Sequence, residues 1–412
     1  MNKLELLAPA GSMECATTAF DFGADAIYAA GKQFGLRASA PNLSMDELEH
    51  TIALAHRLGR RVYIAVNALV RENELEVLSA YLEQIAALEP DGIIFSDPAV
   101  IQIHRMLGLT VPLHLSTQAS TTNSDACMFW TTIGVTRIVL ARECTLADIQ
   151  SIRHRVPDLE LEVFVHGAMC IAHSGRCLLS SIVAGRSGNR GVCAQPCRWE
   201  YEIRERHSNE PWMKIEQDES GTYIFNSRDL MMLDHIPELV TAGVNSLKIE
   251  GRMKSAYYVA SVVNAYRRAI DLYYANGKPA PNELLDELQK SATRPYTNGF
   301  FFGHPENAGV DAKRETVPRR YTFVARVLGS AEDDCILVEQ RNKFAVGDML
   351  EVLSPDMHSV SFTVTSVLTL DGEERRDAPH AQEILRLKCP VKLRGGELLR
   401  RLDAGRGADH RE

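Results

Sequence analysis

Residues 26–66 begin with the apolar run Ala26-Ile-Tyr-Ala-Ala30, continue through the amphipathic stretch Met45–Leu58, and end in a second apolar run, Val62-Tyr-Ile-Ala-Val66. Apolar runs without polar alternation are typical of strands that are buried on both faces, and such strands belong to parallel sheets. An amphipathic stretch of helical length between two of them predicts a β-α-β unit. Because the same order recurs along the first 250 residues, this unit decides the fold.

Eight such apolar runs occur before residue 251, and helical patterns such as Glu74–Leu88 and Leu146–Val156 lie between most of them. Eight parallel strands that alternate with helices predict a (β/α)8 TIM-like barrel, and a doubly wound open sheet is the alternative. No Gly-x-Gly-x-x-Gly turn follows the first strand, so dinucleotide binding has no support. The predicted strands are Glu5–Ala10, Ala26–Ala30, Val62–Val66, Gly92–Ser96, Leu113–Ser116, Arg137–Ala141, Glu162–His166 and Ser246–Glu250.

From about Pro318 the pattern changes to short runs with apolar alternation and tight turns, and long helical patterns are absent. This pattern predicts a small antiparallel β-barrel domain at 318–402. We therefore expect a barrel domain over 1–310 that contains a cysteine-rich segment at about 167–245, and a disordered tail at 403–412. The predicted strands of the second domain are Tyr321–Leu328, Cys335–Gln340, Met349–Leu353, Val360–Val367 and Ile384–Leu387.

The bulk composition excludes several classes of protein. The chain has 412 residues, of which 45% are hydrophobic and 24% charged, so it has enough apolar side chains for a large core. No apolar run reaches the length of a membrane helix, and the first residues do not form a secretory signal. A net charge of −9 argues against a uniformly basic nucleic-acid-binding surface, although a local basic patch remains open. We expect a cytoplasmic protein without a membrane anchor.

Polar residues follow several predicted strands at the point where each strand ends. In a barrel of this kind the active site lies at the carboxyl ends of the strands, so these side chains should meet on one rim. Turn formation and helix capping are the alternative roles for such residues. The candidate acid or base is His166 or Glu143. The candidate catalytic residues are Gln118, Arg142, Glu143 and His166, and the candidate substrate ligands at the last strand are Glu250 and Arg252.

Four of the nine cysteines lie within 28 residues directly after the seventh predicted strand, and no acidic residue separates them. Such crowding indicates a metal or iron–sulfur site on the catalytic rim. Structural zinc sites favour ligand pairs separated by two to four residues, which only the last two cysteines satisfy. The spacing therefore favours iron–sulfur and leaves zinc open, whereas disulfides lack support from an oxidising compartment. The four candidate ligands are Cys170, Cys177, Cys193 and Cys197.

Arginines accompany these cysteines, at Arg176, Arg186, Arg190 and Arg198. A guanidinium group binds carboxylate or phosphate through charge-assisted and often bidentate hydrogen bonds. We therefore expect Arg176, Arg190 and Arg198 to contact a small carboxylate or an RNA phosphate. The alternative for each of them is an exposed ion pair that contributes little.

Hydrolase signatures are missing from the chain. It contains no His-Glu-x-x-His zinc pair, no Gly-x-Ser-x-Gly elbow and no phosphate-binding loop of the Gly-x4-Gly-Lys-Ser/Thr type. A cysteine protease pair of Cys170 with His166 or His173 remains conceivable. It is the weaker interpretation, because a nucleophilic cysteine gains nothing from three neighbouring thiols.

The motifs around the cysteines resemble one known family. The stretches Glu162-Val-Phe-Val-His-Gly-Ala-Met-Cys170 and Ser174-Gly-Arg-Cys-Leu-Leu-Ser180 closely resemble the signature of the collagenase-like peptidases, family U32. The resemblance covers nearly the whole chain. It includes Glu5–Gly11, Gly23–Tyr28, Leu113–Gln118, Asn189–Arg198, Asn226–Leu230 and Ser246–Arg252.

The resemblance implies a function, because the members with the most similar motifs hydroxylate RNA bases. It implies a 4Fe-4S cluster on Cys170, Cys177, Cys193 and Cys197, with an electron donor as a further partner. For a chain of this length it implies tRNA as substrate, 5-hydroxyuridine at the wobble position as product, and prephenate as co-substrate. A peptidase, or a hydroxylase of another base such as a ribosomal cytidine, is the alternative. A structural zinc protein that binds RNA without chemistry also stays open.

Overall fold

The computed structural model describes residues 3–36, 41–170, 173–175, 177, 179–196, 228–303, 321–332, 334–355 and 360–403, together with four two-residue strands between 202 and 222. Predictions made for Arg176, Cys197, Arg198 and the tail at 404–412 lie outside the described residues.

Eight parallel strands close into a barrel, as the apolar runs predict. The first strand pairs with the eighth through Glu5 and Ser246, and the eighth pairs with the seventh through Ser246 and Glu162. Because the sheet closes on itself, the TIM-like barrel is confirmed and the open-sheet alternative is wrong. The barrel strands are β1 (Glu5–Pro9), β2 (Ala26–Ala29), β3 (Arg61–Val66), β4 (Gly92–Phe95), β5 (Leu113–Leu115), β6 (Val135–Val139), β7 (Glu160–Ala168) and β13 (Ser246–Ile249).

Helices cover the outside of the barrel, and several of them begin at a side-chain cap. Ser44 and Glu47 form a capping box at the second helix, and Thr145 and Asp148 form another at the sixth. None of the helices among the described residues is long and apolar enough to span a membrane. The helices are α1 (Met13–Asp21), α2 (Met45–Arg57), α3 (Leu75–Ala87), α4 (Pro98–Met106), α5 (Ser124–Thr132), α6 (Leu146–Arg155), α7 (Leu179–Ala184), α8 (Ile236–Thr241), α9 (Ala256–Asn276) and α10 (Asn282–Ser291).

The segment between β7 and β13 adds strands to one edge of the barrel. Strand β12 (Asp229–Met231) runs antiparallel to the end of β7, with Met231 opposite His166, and β14 (Tyr296–Thr297) continues the sheet beside β12. The last residues of β7 are therefore paired beyond the barrel itself and lead directly into the cysteine segment. The other strands here are β8 (Glu202–Ile203), β9 (Met213–Lys214), β10 (Gln217–Asp218) and β11 (Gly221–Thr222).

The C-terminal domain is antiparallel, as the alternation predicts. Its main sheet has the order β19 (Ser361–Thr363), β18 (Met349–Leu353), β24 (Leu398–Leu402), β15 (Tyr321–Ser330), β16 (Cys335–Gln340), β23 (Ile384–Lys388), β20 (Val367–Leu368) and β21 (Glu374–Arg375). The predicted strand Val360–Val367 instead forms two short strands, and the central strand β24 escaped prediction because charged residues interrupt its apolar pattern. The remaining strands of this domain, β17 (Phe344–Ala345) and β22 (Asp377–Ala378), form a separate two-stranded sheet.

A buried ion cluster joins this domain to the barrel helices. Arg400 of β24 is 1% exposed, and its Nη2 lies 2.8 Å from Glu287 Oε2 on α10. Arg400 also contacts Glu351 of β18, which Lys290 of α10 binds at 2.8 Å. The opposite charges compensate one another, which lets an arginine occupy the interior of the interface.

A second ionic network fills the lower half of the barrel, away from the strands' carboxyl ends. Arg137 Nη1 lies 2.5 Å from Glu5 Oε1 and 3.3 Å from Glu162 Oε2, while Tyr63 donates to Glu5 Oε2 at 2.7 Å. Lys248 Nζ donates to Glu162 Oε1 at 2.8 Å. These charged side chains belong to strands whose sequences are mostly apolar. Their burial is possible because each charge has a partner of opposite sign.

Candidate functional site

A cavity of about 240 Å³ opens at the carboxyl ends of the barrel strands. Strand ends form its floor and walls, and the cysteine segment after β7 covers one side. This is the rim on which the fold places active sites. The cavity brings together seven of the candidate residues, namely Gln118, Arg142, Cys170, Cys177, Cys193, Glu250 and Arg252.

The three described cysteines of the cluster differ from the other described thiols in exposure. Cys170 is exposed and Cys177 and Cys193 are half-buried, whereas the described cysteines outside the cluster are buried. The backbone N–H of Leu179 lies 3.3 Å from Cys177 Sγ, and that of Gln195 lies 3.3 Å from Cys193 Sγ. An N–H that donates to sulfur from two residues downstream stabilises a thiolate, the form that binds iron or zinc.

These contacts make the donor set suitable for a metal centre, because accessible thiols with sulfur-directed N–H groups face one cavity. Among the residues that the structure describes, no three His, Cys, Asp or Glu side chains already form a group able to hold a metal ion. The fourth predicted ligand, Cys197, belongs to the part of the chain outside that description.

Hydrogen bonds tie the cysteine segment to the loop after β3. Asn189 Oδ1 accepts from the N–H of Cys177 at 3.2 Å, and its carbonyl accepts from Leu69 N at 3.2 Å. Arg190 donates to the Leu69 carbonyl at 3.0 Å and to Glu74 Oε2 at 2.8 Å, and its second nitrogen also contacts Glu74. The pKa of Glu74 falls to about 2, first because Arg190 donates to it.

This geometry corrects the role expected for Arg190. Its guanidinium group is engaged with Glu74 and the Leu69 carbonyl, and Arg190 does not line the cavity. It therefore positions the cysteine segment instead of contacting a substrate. The sequence alone could not reveal this, because Glu74 and Arg190 are 116 residues apart.

Glu143 likewise holds the cysteine segment in place. Its two oxygens accept from the N–H and the hydroxyl of Ser174, both at 2.8 Å, and His173 Nε2 lies 3.9 Å away. Ser174 has a φ of 48°, a left-handed conformation that these two hydrogen bonds stabilise. The structure thus places Glu143 beside the cavity as an anchor of the loop, and not among its lining residues.

Arg142 and Glu250 face each other across the cavity wall. Arg142 Nη2 lies 3.2 Å from Glu250 Oε2, and the Arg142 guanidinium carbon lies 4.0 Å from the centre of the Phe164 ring. The aromatic face and the carboxylate together fix the orientation of the guanidinium group. The pair is therefore ordered before any ligand enters.

The structure also corrects the rim position expected for His166. The ring is 1% exposed and packs against Tyr258, Tyr266 and Tyr296, with centroid separations of 6.0, 5.6 and 5.4 Å. Burial, with a smaller contribution from Lys254, lowers the pKa of His166 to about 3. His166 is thus a neutral group packed against tyrosines outside the cavity lining. The sequence pattern assigns His166 to a strand end, but it does not show whether the side chain points into the cavity or away from it.

Charged residues that sequence reasoning missed also line the cavity. Lys248 interrupts the last apolar strand and lines the cavity. A lysine within an apolar strand is a sequence signal for a functional residue, because lysine is rarely buried without a partner. Asp229 and Arg294 come from segments outside the barrel strands, 3.9 Å apart. Among the described lining residues five are basic and two acidic: Arg142, Lys248, Arg252, Lys254 and Arg294 against Asp229 and Glu250. The cavity is therefore electropositive, which favours an anionic ligand.

The placement of Arg252 depends on a glycine in the first strand's loop. A Cβ atom on Gly11 would lie 1.9 Å from the Arg252 carbonyl oxygen. Backbone cannot move away as a flexible side chain can, so only glycine permits this approach. The Glu5–Gly11 and Ser246–Arg252 motifs therefore meet at the same edge of the cavity.

Comparison with known proteins finds relatives that are similar to this chain in sequence. It is 37% identical to the tRNA hydroxylation protein P1 of Bacillus subtilis over 97% of this chain and 95% of that protein. It is 33% identical to the 23S rRNA 5-hydroxycytidine C2501 synthase of Escherichia coli over 66% of this chain and 40% of that protein. It is 28% identical to a collagenase of Porphyromonas gingivalis over 98% of this chain and 99% of that protein.

Two family models match consecutive parts of the chain. The model described as Peptidase family U32 matches residues 11–311, which contain the barrel strands after β1 and the cysteine segment. The model described as Peptidase family U32 C-terminal domain matches residues 319–400, which contain the antiparallel sheet except for the last two residues of β24. The chain therefore belongs to peptidase family U32.

Proposed function

We propose that this chain is an RNA-modifying hydroxylase that converts a tRNA uridine at the wobble position to 5-hydroxyuridine. Its proposed cofactor is a 4Fe-4S cluster, its proposed co-substrate is prephenate, its proposed redox partner is an electron donor, and its proposed location is the cytoplasm. The observation that carries the proposal is the shared cavity: thiols with sulfur-directed N–H groups and an excess of basic side chains meet on one barrel rim.

The cysteines would supply the redox part of the site. Cys170, Cys177, Cys193 and Cys197 would hold the cluster, which supplies electron transfer when it is bound. The backbone N–H groups of Leu179 and Gln195 point at the sulfurs of Cys177 and Cys193, an arrangement that suits sulfur ligands of a metal centre. Arg190 and Glu143 keep the segment that carries these thiols against the barrel.

The basic residues would supply the binding part. The electropositive walls suit both RNA phosphate and a small carboxylate, and Arg142 presents a guanidinium group already oriented by Glu250 and Phe164. A wobble uridine is single-stranded, so a barrel mouth reaches it without the cost of unpairing a duplex. The tRNA and rRNA hydroxylation functions in the names of two relatives support an RNA base as the target.

Among the described residues, the geometry does not support a peptidase site built on His166 or on Ser174. A Cys170–His166 pair needs the imidazole next to the thiol, yet His166 is buried against tyrosines outside the cavity. The hydroxyl of Ser174 donates to Glu143, so the carboxylate occupies the position that a general-base histidine would take.

Metal content and nucleoside composition test the proposal together. Protein purified without oxygen should contain about four iron and four sulfide per chain and absorb near 400 nm. The Cys177→Ser variant should lose iron, whereas Cys127→Ser, which changes a buried thiol away from the cavity, should retain it. Zinc in place of iron in anaerobically prepared protein would favour a structural zinc protein instead.

Nucleoside mass spectrometry of total tRNA gives the second readout. A strain that lacks this gene should lose 5-hydroxyuridine and its derivatives, and the wild-type gene should restore them while the Cys177→Ser gene does not. Unchanged 5-hydroxyuridine in a deletion strain without a paralogue would refute the tRNA assignment. Cleavage of gelatin by metal-free protein would instead revive the peptidase alternative.

A further inference from the structure

Lys248 occupies the floor of the cavity, below the residues that form its rim. It comes from β13, and its side chain is 5% exposed yet contributes to the cavity lining. In the chain it precedes Glu250 by two residues and Arg252 by four, so it lies deeper along the strand direction. A ligand that reaches Lys248 must therefore enter the barrel itself.

Three neighbours hold the ammonium group in one position. It donates to Glu162 Oε1 at 2.8 Å, and it lies 4.4 Å from the centre of the Tyr28 ring and 5.5 Å from that of Phe164. The Tyr28 hydroxyl donates to the Ile249 carbonyl at 3.0 Å, which fixes that ring. A fixed ammonium between two ring faces presents its charge without loss of side-chain entropy on binding.

The surrounding charges leave the floor able to accept an anion. The network below the cavity is balanced, with three basic and three acidic side chains: Arg61, Arg137 and Lys248 against Glu5, Glu160 and Glu162. The described cavity lining has five basic and two acidic side chains, and Lys248 belongs to both groups. Together they hold seven basic and five acidic side chains, so two positive charges remain in excess.

We propose that Lys248, Tyr28 and Phe164 form a subsite for the carboxylate of a small unsaturated ligand. The ammonium group binds the carboxylate, and the Tyr28 and Phe164 side chains, which line the same cavity, contact the adjoining carbons of the ligand. An RNA phosphate is the less suitable occupant, because the floor lies inside a ring of eight strands that a polynucleotide backbone cannot enter. The subsite rests on the proposed function, in which this ligand is the co-substrate and the RNA stays at the rim.

Binding measurements on the cluster-loaded protein test the subsite without reference to turnover. Isothermal titration would use prephenate, inorganic phosphate and an anticodon stem-loop RNA as separate probes. Lys248→Met should weaken prephenate binding by about 10- to 100-fold, the usual effect of losing a charge-assisted hydrogen bond. RNA binding should change less than about twofold, and the exposed Lys278→Met variant should match the wild type in every titration.

A second variant separates loss of binding from loss of folding. Lys248→Met alone leaves the buried Glu162 carboxylate with less compensation and can destabilise the barrel. The double variant Lys248→Met/Glu162→Gln removes both charges of the pair and should melt closer to the wild type. It should still bind prephenate about 10- to 100-fold more weakly.

Specific results would overturn the subsite. Wild-type prephenate affinity in the double variant would do so, as would equal losses of prephenate and RNA binding, which would assign Lys248 to RNA phosphate. Inorganic phosphate that displaces prephenate at equal concentration would reveal a general anion site. If wild-type protein binds prephenate through Lys248 but binds no RNA, the proposed function fails and the subsite stands.

Discussion

The ion pair between Glu74 and Arg190 provides a sharp test of how the cysteine segment is held. Glu74→Gln removes the carboxylate that Arg190 contacts through two nitrogens, while the side chain keeps nearly the same size and shape. The loop after β3 then keeps the hydrogen bond from the Arg190 guanidinium group to the Leu69 carbonyl and the one from Leu69 N–H to the Asn189 carbonyl, but it loses the ion pair. We expect the cysteine segment to open more often, with the barrel otherwise unchanged.

The magnitude follows from the pKa of Glu74. A fall from the ordinary 4.5 to about 2 corresponds to about 3 kcal/mol at neutral pH. The two side chains are 26% and 30% exposed, so solvent screening reduces the contribution to about 1–2 kcal/mol. Because 1.4 kcal/mol is a factor of ten, opening of the segment should become about 5- to 30-fold more frequent.

Hydrogen exchange of peptides that cover residues 186–196 measures this opening directly. Glu72→Gln is the matched control, because Glu72 is exposed and lies with Glu74 on the short helix Glu72–Glu74. The folded-state pKa of Glu74 is depressed, so its stabilisation is complete above the unfolded value and is lost as the pH falls. The difference between wild type and Glu74→Gln should therefore shrink by roughly 60–80% near pH 3.5.

Two results would refute this reasoning. Equal exchange of residues 186–196 in Glu74→Gln and wild type at neutral pH would mean that the ion pair does not hold the segment. A difference that stays constant as the pH falls would mean that the carboxylate charge is not its cause.

Two further substitutions test the contact between Gly11 and Arg252 at the edge of the cavity and the ion cluster between the domains. Gly11→Ala should displace the Arg252 backbone and cost about 2–4 kcal/mol of unfolding free energy, measured by urea denaturation; unchanged stability would contradict the close approach. Arg400→Met should cost about 3–5 kcal/mol, because it leaves Lys290 as the one cation described beside the two carboxylates of Glu287 and Glu351. Thermal unfolding should show a clear loss for this variant, and adding Glu287→Gln should recover part of it if the burial of charge is the cause.

The sequence predicts the barrel well because its signal is local. A strand that is buried on both faces must be mostly apolar along its length, and the barrel strands are recognisable in the sequence as apolar runs such as Val62–Val66. Strand β24 shows the limit of this signal: Arg400 looks like a surface residue in the sequence and is 1% exposed in the structure. Its partner Glu287 lies 113 residues away in the chain, so no local sequence pattern predicts the pair.

The candidate site divides in the same way. The cysteines and Arg142 follow strand ends, and chain position alone leads to the cavity because all parallel strands end on one rim. The direction in which a side chain points cannot be predicted from its chain position in this way. His166 and Glu143 also follow strand ends, yet one packs against tyrosines and the other binds Ser174.

The sequence by itself thus determines the barrel, the antiparallel second domain and the thiols that reach the rim, since strand periodicity and spacing are properties of neighbouring residues. Only the tertiary structure decides which charges hold the cysteine segment, which line the cavity and which lie at its floor. Arg190, Lys248 and Arg400 are all basic residues in the sequence. Their roles differ because Glu74, Glu162 and Glu287, their distant partners, are brought to them by folding.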